Sequence, residues 1–283
     1  MACPTPPGVL IKHLSGQTTH CIVDDFTDPW RPSETIVIQH GFARHAAFWY
    51  HWIPVLSRRY RVIRRDLRGH GYSSTPLDDG AYDYSVENIC GEILDTLDQF
   101  GLKKVHFIGE STSGMLGEVL AAKHPDRLLS LTIISSPTHL PQPALDMFAF
   151  GHADWPTACR VLGSRGWGES LSKLPGTVSY PDAGYIKWWT DQVAISSGEG
   201  LAGYAEFLSR LDSRPYLEEI RVPMLILAPA NSVATKVEEQ RTIQARVPGS
   251  ELVVVNGKGH EIFTDGAEDC QRALLKFLDR LQN

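Results

Sequence analysis

Short runs of branched and apolar residues alternate with helical patterns along most of this 283-residue chain. Helices cover both faces of a parallel sheet, so its strands are continuous apolar runs and do not alternate between apolar and polar residues. The pattern therefore predicts an α/β fold with a mainly parallel central sheet flanked by helices. The predicted core strands span residues 35–38, 60–63, 105–108, 131–134, 224–227 and 252–255.

Helices are predicted between these strands wherever apolar residues recur at helical spacing. In the first of them, Ile89, Ile93 and Leu97 share one face. Two segments near the N-terminus, 9–14 and 20–23, fit an antiparallel pair of strands at one edge of the sheet. The predicted helices span residues 85–100, 113–124, 236–247 and 267–281.

The alternation stops in the segment 138–215, which contains no convincing core strand. We predict that this segment forms a helical cap over one end of the sheet, and that residues 1–137 and 216–283 form the core. Aromatic side chains of the segment either line a substrate pocket or pack the cap's own small core. We expect Trp188 and Trp189 to contact the substrate. Four of the seven tryptophans lie here: Trp155, Trp167, Trp188 and Trp189.

Composition argues against several classes of function. A net charge of −6 leaves no basic excess to neutralise phosphates, so no nucleic-acid partner is expected. Neither a signal peptide nor an apolar stretch of about 18 residues occurs, so no membrane association is expected. Five dispersed cysteines without a CxxC pair indicate reduced thiols and a cytoplasmic location. No metal or cofactor motif occurs, so neither is expected. The oligomeric state stays open, with a homodimer as one alternative.

The strongest local signal for chemistry is the sequence GESTSG at residues 109–114, between a predicted strand and a predicted helix. A sharp turn there presents a serine hydroxyl at the carboxyl edge of the sheet, where backbone N–H groups favour developing negative charge. The pattern predicts Ser111 as a nucleophile; the alternative is a serine that only caps the helix. Glu110 either contacts this site or lies at a solvated helix end.

Two further loops follow predicted strands, and they carry the oxyanion hole and the base that a nucleophilic serine needs. Residues 40–42 read HGF, and the backbone N–H groups of Phe42 and Thr112 are the predicted donors of an oxyanion hole. Residues 257–261 read GKGHE, and His260 on this loop is the predicted base, because neutral imidazole accepts a proton near neutral pH.

Residues 66–73 read DLRGHGYS directly after a predicted strand. With this turn and the loops around Phe42, Ser111 and His260, the chain resembles the α/β-hydrolase superfamily. The resemblance is narrower to its lactonase, esterase and perhydrolase-type members, among which are the zearalenone-lactonase-like enzymes. It covers residues 35–100, 105–136 and 221–281.

The resemblance implies a role for each of these residues. Ser111 would be the nucleophile and His260 the base, while Phe42 and Thr112 would donate to the oxyanion. His70, within the DLRGHGYS turn, corresponds to a histidine that is mainly structural in the family. The segment without strands corresponds to the family's cap domain.

The chain departs from the family at the third member of the catalytic triad. Relatives of this kind place an aspartate after the strand that here spans 224–227, but the next residues of this chain read APANSV. Ser232 stands at the aspartate's position, with Asn231 beside it. Some relatives take the acid from after the preceding strand, where this chain reads SSP. Asp146 lies further along, within the predicted cap.

Three explanations for the missing acid stay open. The acid comes from an unexpected position, or a neutral Asn231 or Ser232 orients the imidazole for an activated substrate, or the protein binds without efficient turnover. The acid matters because it orients the imidazole and stabilises the imidazolium; replacing it by a neutral group costs a serine protease about 10⁴ in turnover.

The sequence therefore predicts a serine-dependent hydrolase of an ester or lactone of a mid-sized, apolar small molecule. The predicted path is attack by Ser111, an acyl-enzyme, and hydrolysis by a water that His260 activates. The alternatives are a small-molecule receptor or slow-turnover binding protein on the same fold, and a carbon–carbon bond hydrolase.

Overall fold

Eight strands form one sheet in the computed structural model, which describes residues 8–76, 82–178 and 182–282. The strands are β1 (Val9–Lys12), β2 (Thr18–Asp24), β3 (Thr35–Gln39), β4 (Arg61–Arg65), β5 (Val105–Glu110), β6 (Leu128–Ile134), β7 (Met224–Pro229) and β8 (Glu251–Val255). They lie in the order β1-β2-β4-β3-β5-β6-β7-β8. The β1–β2 and β2–β4 pairs are antiparallel, and all neighbours from β4 to β8 are parallel. The predicted mainly parallel sheet is confirmed.

Helices flank the sheet, as the sequence predicts. Within the described ranges the α-helices are α1 (Ile53–Leu56), α2 (Val86–Gln99), α3 (Thr112–Lys123), α4 (Gln142–Ala149), α5 (Trp155–Ser172), α6 (Ala183–Val193), α7 (Gly198–Leu208), α8 (Val237–Arg246), α9 (Ile262–Asp265) and α10 (Ala267–Leu281). Short 3₁₀ helices span Ala46–Trp52, Pro125–Arg127 and Arg214–Glu219.

The parallel strands bring three loops to one edge of the sheet. Every residue of β3 and β5 is buried, because each strand has a neighbour on both sides and helices over it. Parallel strands end at the same edge, and ligands in such folds bind beyond the carboxyl ends of the strands. The loop after β3, the turn after β5 and the loop after β8 therefore meet there, and they carry Phe42, Ser111 and His260.

The described residues between 138 and 215, here called the insert, are helical from α4 to α7. Gly163 breaks α5 because its φ of 66° lies outside the helical region. The two ends of the insert meet, since the backbone N–H of Ser213 donates to the carbonyl of Thr138 over 2.9 Å. The insert thus leaves and rejoins the core at one point. Its role as a cap stays a prediction.

None of the helices in the described ranges is long and apolar enough to cross a lipid bilayer. The four cysteines in those ranges are buried and form no disulfide with one another. Cys3 lies outside the described residues. Burial raises the pKa of the Cys21 and Cys90 thiols to about 12, so both are unreactive at neutral pH.

Candidate active site

Ser111 lies at a strained turn between β5 and α3. Its φ of 52° and ψ of −127° are unusual for a residue with a side chain, and such a conformation costs about 1–3 kcal/mol. The turn is held by the N–H of Ser111, which donates to the Ile134 carbonyl over 2.8 Å. It also requires Gly109, because a Cβ there would lie 2.4 Å from the Ser113 carbonyl oxygen. The geometry is that of a nucleophile elbow.

His260 meets Ser111 from the loop between β8 and α9. Its Nε2 lies 2.9 Å from the Ser111 Oγ. The backbone of His260 is held on both sides: its N–H donates to the Gly176 carbonyl over 3.0 Å, and the Ser135 hydroxyl donates to its carbonyl over 2.8 Å. Burial, with a smaller effect of the Arg44 cation, lowers the pKa of His260 from 6.5 to about 3. The imidazole is therefore neutral at physiological pH.

Ser232 is the neutral residue at the position where the resemblance implies the aspartate of a triad, and its hydroxyl contacts His260. Its Oγ lies 3.2 Å from the Nδ1 of His260. The same oxygen receives the N–H groups of Ala234 and Thr235, each over 3.1 Å, and lies 3.3 Å from the hydroxyl of Thr235. Three protein donors thus converge on one neutral oxygen, an arrangement that also suits a carboxylate.

These contacts favour one tautomer of His260. A hydroxyl has one proton and two lone pairs, and the donors of the β7–α8 loop fill the lone pairs of Ser232. Its own proton then points to the Nδ1 of His260, which leaves the ring proton on Nε2, towards Ser111. A general base needs the opposite tautomer, with Nε2 free to accept the serine proton.

The other candidates for the third member do not reach His260. Asn231 donates its amide to the Gly257 carbonyl over 2.7 Å and so fastens the neighbouring loop. Asp146 lies on α4, where its carboxylate accepts a hydrogen bond from Gln142 over 2.7 Å. Of the positions that the sequence suggested, only 232 contacts the imidazole within the described residues.

Glu110, which directly precedes Ser111, lies close to both Arg44 and His260. Its side chain is fully buried, so the expectation of a solvated helix end is wrong. Its Oε2 accepts the Gly41 N–H over 2.6 Å. Its Oε1 has no hydrogen-bond partner among the described residues, and lies 3.7 Å from the Nη1 of Arg44 and 4.0 Å from the Nε2 of His260. Burial raises the pKa of Glu110, and the Arg44 cation opposes this.

Arg44 connects Glu110 to a second buried carboxylate. The Nε and Nη2 of Arg44 donate to the Oε1 of Glu261 over 3.0 and 2.7 Å. The same carboxylate accepts the Trp189 indole N–H over 2.9 Å and the Tyr185 hydroxyl over 3.1 Å. Burial alone would lower the pKa of Arg44, but the two carboxylates raise it above its ordinary value. Glu261 directly follows His260, but no pattern in the sequence marks it as part of the site.

A narrow apolar cavity of about 50 Å³ opens beside Ser111 and His260. The Phe42 ring lies 4.4 Å from that of Trp155 and 5.1 Å from that of Trp167, between ring centroids. Both tryptophans belong to α5 of the insert. The insert residues along the cavity include Leu140, Met147, Phe148, Trp155, Trp167 and Leu171.

Trp188 and Trp189, which the sequence suggested as substrate contacts, do not line this cavity. Trp189 is fully buried, and its indole N–H is committed to Glu261. The Trp188 ring is half-buried and lies 5.1 Å from that of Phe48, between centroids. Both side chains pack α6 against the core, because α5 and not α6 faces the cavity.

The two predicted oxyanion donors lie on adjoining turns. Thr112 is the first residue of α3, where a helix has no internal partner for its N–H groups. Phe42 follows Gly41, and a Cβ at Gly41 would lie 2.8 Å from the Cβ of Ser111. Within the described part of the chain, neither N–H donates a hydrogen bond. Nor do the described residues include three or more side chains grouped to hold a metal ion.

Comparison with known proteins agrees with this architecture. A family model described as alpha/beta hydrolase fold matches residues 34–267. A protein of Caulobacter segnis named as a carbamate hydrolase is 27% identical over 87% of this chain and 91% of its own. 3-Oxoadipate enol-lactonase 2 of Acinetobacter baylyi is 23% identical over 78% of this chain and 79% of its own.

A solved structure, the enol-lactonase from Burkholderia xenovorans LB400, superposes with a TM-score of 0.80 at 22% identity. It covers 93% of this chain and 97% of its own length, so the whole fold is shared. Since the family model spans most of the sheet and the turns that carry Phe42, Ser111 and His260, the chain belongs to the α/β hydrolase fold family.

Proposed function

We propose that this protein is a serine hydrolase that cleaves an ester or lactone of a small apolar molecule through an acyl-enzyme on Ser111. The observation that carries the proposal is the 2.9 Å contact between the Ser111 Oγ and the His260 Nε2 at a strained turn beside a cavity. The names of the relatives, enol-lactonase and carbamate hydrolase, support hydrolysis at a carbonyl carbon.

The proposed reaction has two halves. From the tautomer of His260 that leaves Nε2 unprotonated, the Ser111 oxygen attacks the carbonyl carbon while its proton passes to that Nε2, and the N–H groups of Phe42 and Thr112 stabilise the oxyanion. His260 then gives the proton to the leaving alkoxide, which departs as an alcohol. In the second half a water loses its proton to His260, attacks the acyl group and releases the acid, and Ser111 regains its proton.

The size of the cavity limits the substrate. Pockets that bury a drug-sized ligand have volumes of roughly 300 Å³ or more, against about 50 Å³ here. The enzyme in this conformation therefore accepts a small acyl group, and a mid-sized substrate requires the insert to move away from the core. The wall is mostly apolar, and the guanidinium of Arg44 that contributes to it is bonded to Glu261.

A second candidate function is that of a receptor or slow-turnover binding protein. It is favoured by Ser232, because a neutral group at the acid's position orients the imidazole without stabilising the imidazolium. The two candidates differ in the fate of the acyl-enzyme. A hydrolase releases product continuously from an activated ester, whereas a receptor stops after about one equivalent.

The test uses p-nitrophenyl acetate turnover and covalent labelling by a fluorophosphonate. We expect one labelled residue in the wild-type protein, loss of both signals in Ser111→Ala, and retention of both in Ser170→Ala, a change on α5 outside the cavity. Continued turnover or labelling by a folded Ser111→Ala protein would refute the proposal. A single burst without further product would instead favour the receptor.

A further inference from the structure

We propose that Glu110 is a positioning residue that supplies, through His260, the negative charge that the neutral Ser232 cannot supply. The inference rests on the proposed reaction of Ser111, because it concerns how His260 accepts a proton in that reaction. The negative charge that an acid supplies in a catalytic triad would then come from Glu110, directly before Ser111, and not from the loop after β7.

The orientation of the Glu110 carboxylate is fixed. One oxygen accepts the Gly41 N–H over 2.6 Å, and the other lies 4.0 Å from the Nε2 of His260. Position 41 must be glycine for this to occur, since a Cβ there would lie 2.6 Å from the bonded carboxylate oxygen. The oxygen nearer His260 has no hydrogen-bond partner among the described residues, although it is fully buried. A buried carboxylate oxygen without a hydrogen bond is costly unless charges face it.

The formal charges of His260 and the buried ionic groups near it sum to zero only when the imidazole is protonated. Arg44 is one cation between two carboxylates, Glu110 at 3.7 Å and Glu261 at 2.7 Å. With both carboxylates ionised and a neutral imidazole, this buried group carries a net charge of one minus two, or −1. When His260 takes the proton of Ser111, the total becomes zero. A triad with an aspartate has the same balance, −1 at rest and zero in the imidazolium state.

The two carboxylates are not equivalent. Glu261 is committed to Arg44, Trp189 and Tyr185 by hydrogen bonds. Glu110 is the carboxylate whose second oxygen faces the imidazole at 4.0 Å. It lies on the Nε2 side of the ring, so it stabilises the charge of His260 and leaves the orientation of the ring to Ser232.

The variant Glu110→Gln tests this directly, since it removes the charge and keeps an acceptor for the Gly41 N–H. The readouts are the rate of fluorophosphonate labelling of Ser111 and the kcat and KM for p-nitrophenyl acetate. We expect labelling and kcat to fall about 100-fold at neutral pH, with little change in KM. The loss is smaller than the about 10⁴-fold cost of neutralising an acid bonded to the histidine, because no hydrogen bond joins Glu110 to His260.

The pH profile separates a charge effect from a structural one. Burial raises the pKa of Glu110, so acidification protonates it in the wild-type protein and the advantage over Glu110→Gln should disappear. Of the groups that face Glu110 and its partners, Arg44 and Tyr185 have raised pKa values and keep their charge state over this range. His40, on the loop of Gly41, stays neutral because burial and nearby His70 lower its pKa well below 6.5. A purely structural defect would slow the variant equally at every pH.

The control for loss of a buried glutamate side chain without loss of charge is Glu118→Gln on α3, because burial raises the pKa of Glu118 to about 8 and its carboxyl, bonded to Ser213 away from the cavity, is protonated at neutral pH. We expect it to leave labelling unchanged. The double variant Glu110→Gln/Ser232→Asp should recover the lost rate, because it returns a carboxylate to the imidazole. Unchanged or faster labelling in a folded Glu110→Gln protein would overturn the inference, and so would a failure of the double variant to recover.

The wild-type protein decides the question if Glu110→Gln does not fold. Labelling that stays constant on acidification until His260 itself protonates, at a pKa of about 3, would overturn the inference. A loss of labelling at a higher pH, where the carboxyl of Glu110 takes up a proton, would support it. Failure here is distinct from failure of the proposed function, because the latter is read from Ser111→Ala.

Discussion

Replacing Ser232 by aspartate should raise the turnover of the proposed reaction at Ser111. The carboxylate takes the place of a hydroxyl whose oxygen lies 3.2 Å from the Nδ1 of His260. The N–H groups of Ala234 and Thr235 already point to this position, so the loop offers donors that hold a negative charge. The change reverses the tautomer as well, since a carboxylate accepts a proton from Nδ1 and frees Nε2 for the proton of Ser111.

The size of the effect follows from the distance. Two unit charges about 3.2 Å apart attract by about 5 kcal/mol at an effective dielectric constant of about 20. Part of this is offset by the cost of burying the new carboxylate. We therefore expect kcat to rise by about 10²- to 10⁴-fold, the upper figure being the known effect of the acid in a serine protease.

The assay combines p-nitrophenyl acetate turnover with nitrogen NMR of the labelled imidazole. In the wild-type protein we expect the ring proton of His260 on Nε2, and in Ser232→Asp on Nδ1. The control is Asn231→Asp, which adds the same charge one residue away, where the side chain faces Gly257. An unchanged or lower kcat in a folded Ser232→Asp protein, or the same gain in Asn231→Asp, would show that the reasoning about position 232 is wrong.

Three further outcomes are expected. Trp189→Phe removes the indole N–H that donates to Glu261 and should lower the free energy of unfolding in urea by about 1–3 kcal/mol. Burial raises the pKa of Glu118 from 4.5 to about 8, so the folded protein keeps a proton that the unfolded chain loses. Wild-type stability should therefore fall as pH rises between these values, and Glu118→Gln should flatten this dependence in thermal unfolding. Met147→Ala widens the cavity and should raise kcat/KM for longer acyl esters relative to acetate by about tenfold, measured with p-nitrophenyl esters.

The bounds of a helix or strand could be predicted from the sequence where neighbouring residues alone determine them. The helix predicted over 85–100 spans Val86–Gln99, because the Ser85 side chain caps its start and Gly101, at a φ of 70°, follows its end. The strand predicted over 60–63 was placed less well, since β4 continues to Arg65. An arginine ordinarily indicates the end of a buried apolar strand, so the prediction stopped before Arg64. Here the guanidinium of Arg65 is buried and donates to Gln39 over 2.6 Å.

The site was predictable only in part, because its ionic groups depend on distant partners. Each motif that follows a strand could be recognised locally, and these motifs carry Ser111 and His260. The burial of Glu110 depends on Gly41, which lies 69 positions earlier, and that of Arg44 on Glu261, 217 positions later. No local pattern distinguishes such residues from solvent-facing ones.

The insert and the imidazole are mechanically connected, and this follows from contacts on both sides of His260. The carbonyl of Gly176 in the insert accepts the N–H of His260, and Tyr185 and Trp189 of α6 donate to the adjoining Glu261. If a mid-sized substrate enters the cavity of about 50 Å³ by displacing the insert, we expect that displacement to disturb the same contacts. We therefore expect entry of a large substrate to loosen His260, and return of the insert to restore its 2.9 Å contact with Ser111. We thus expect this one structural element, the insert, to limit the size of the substrate and to control the activity of His260.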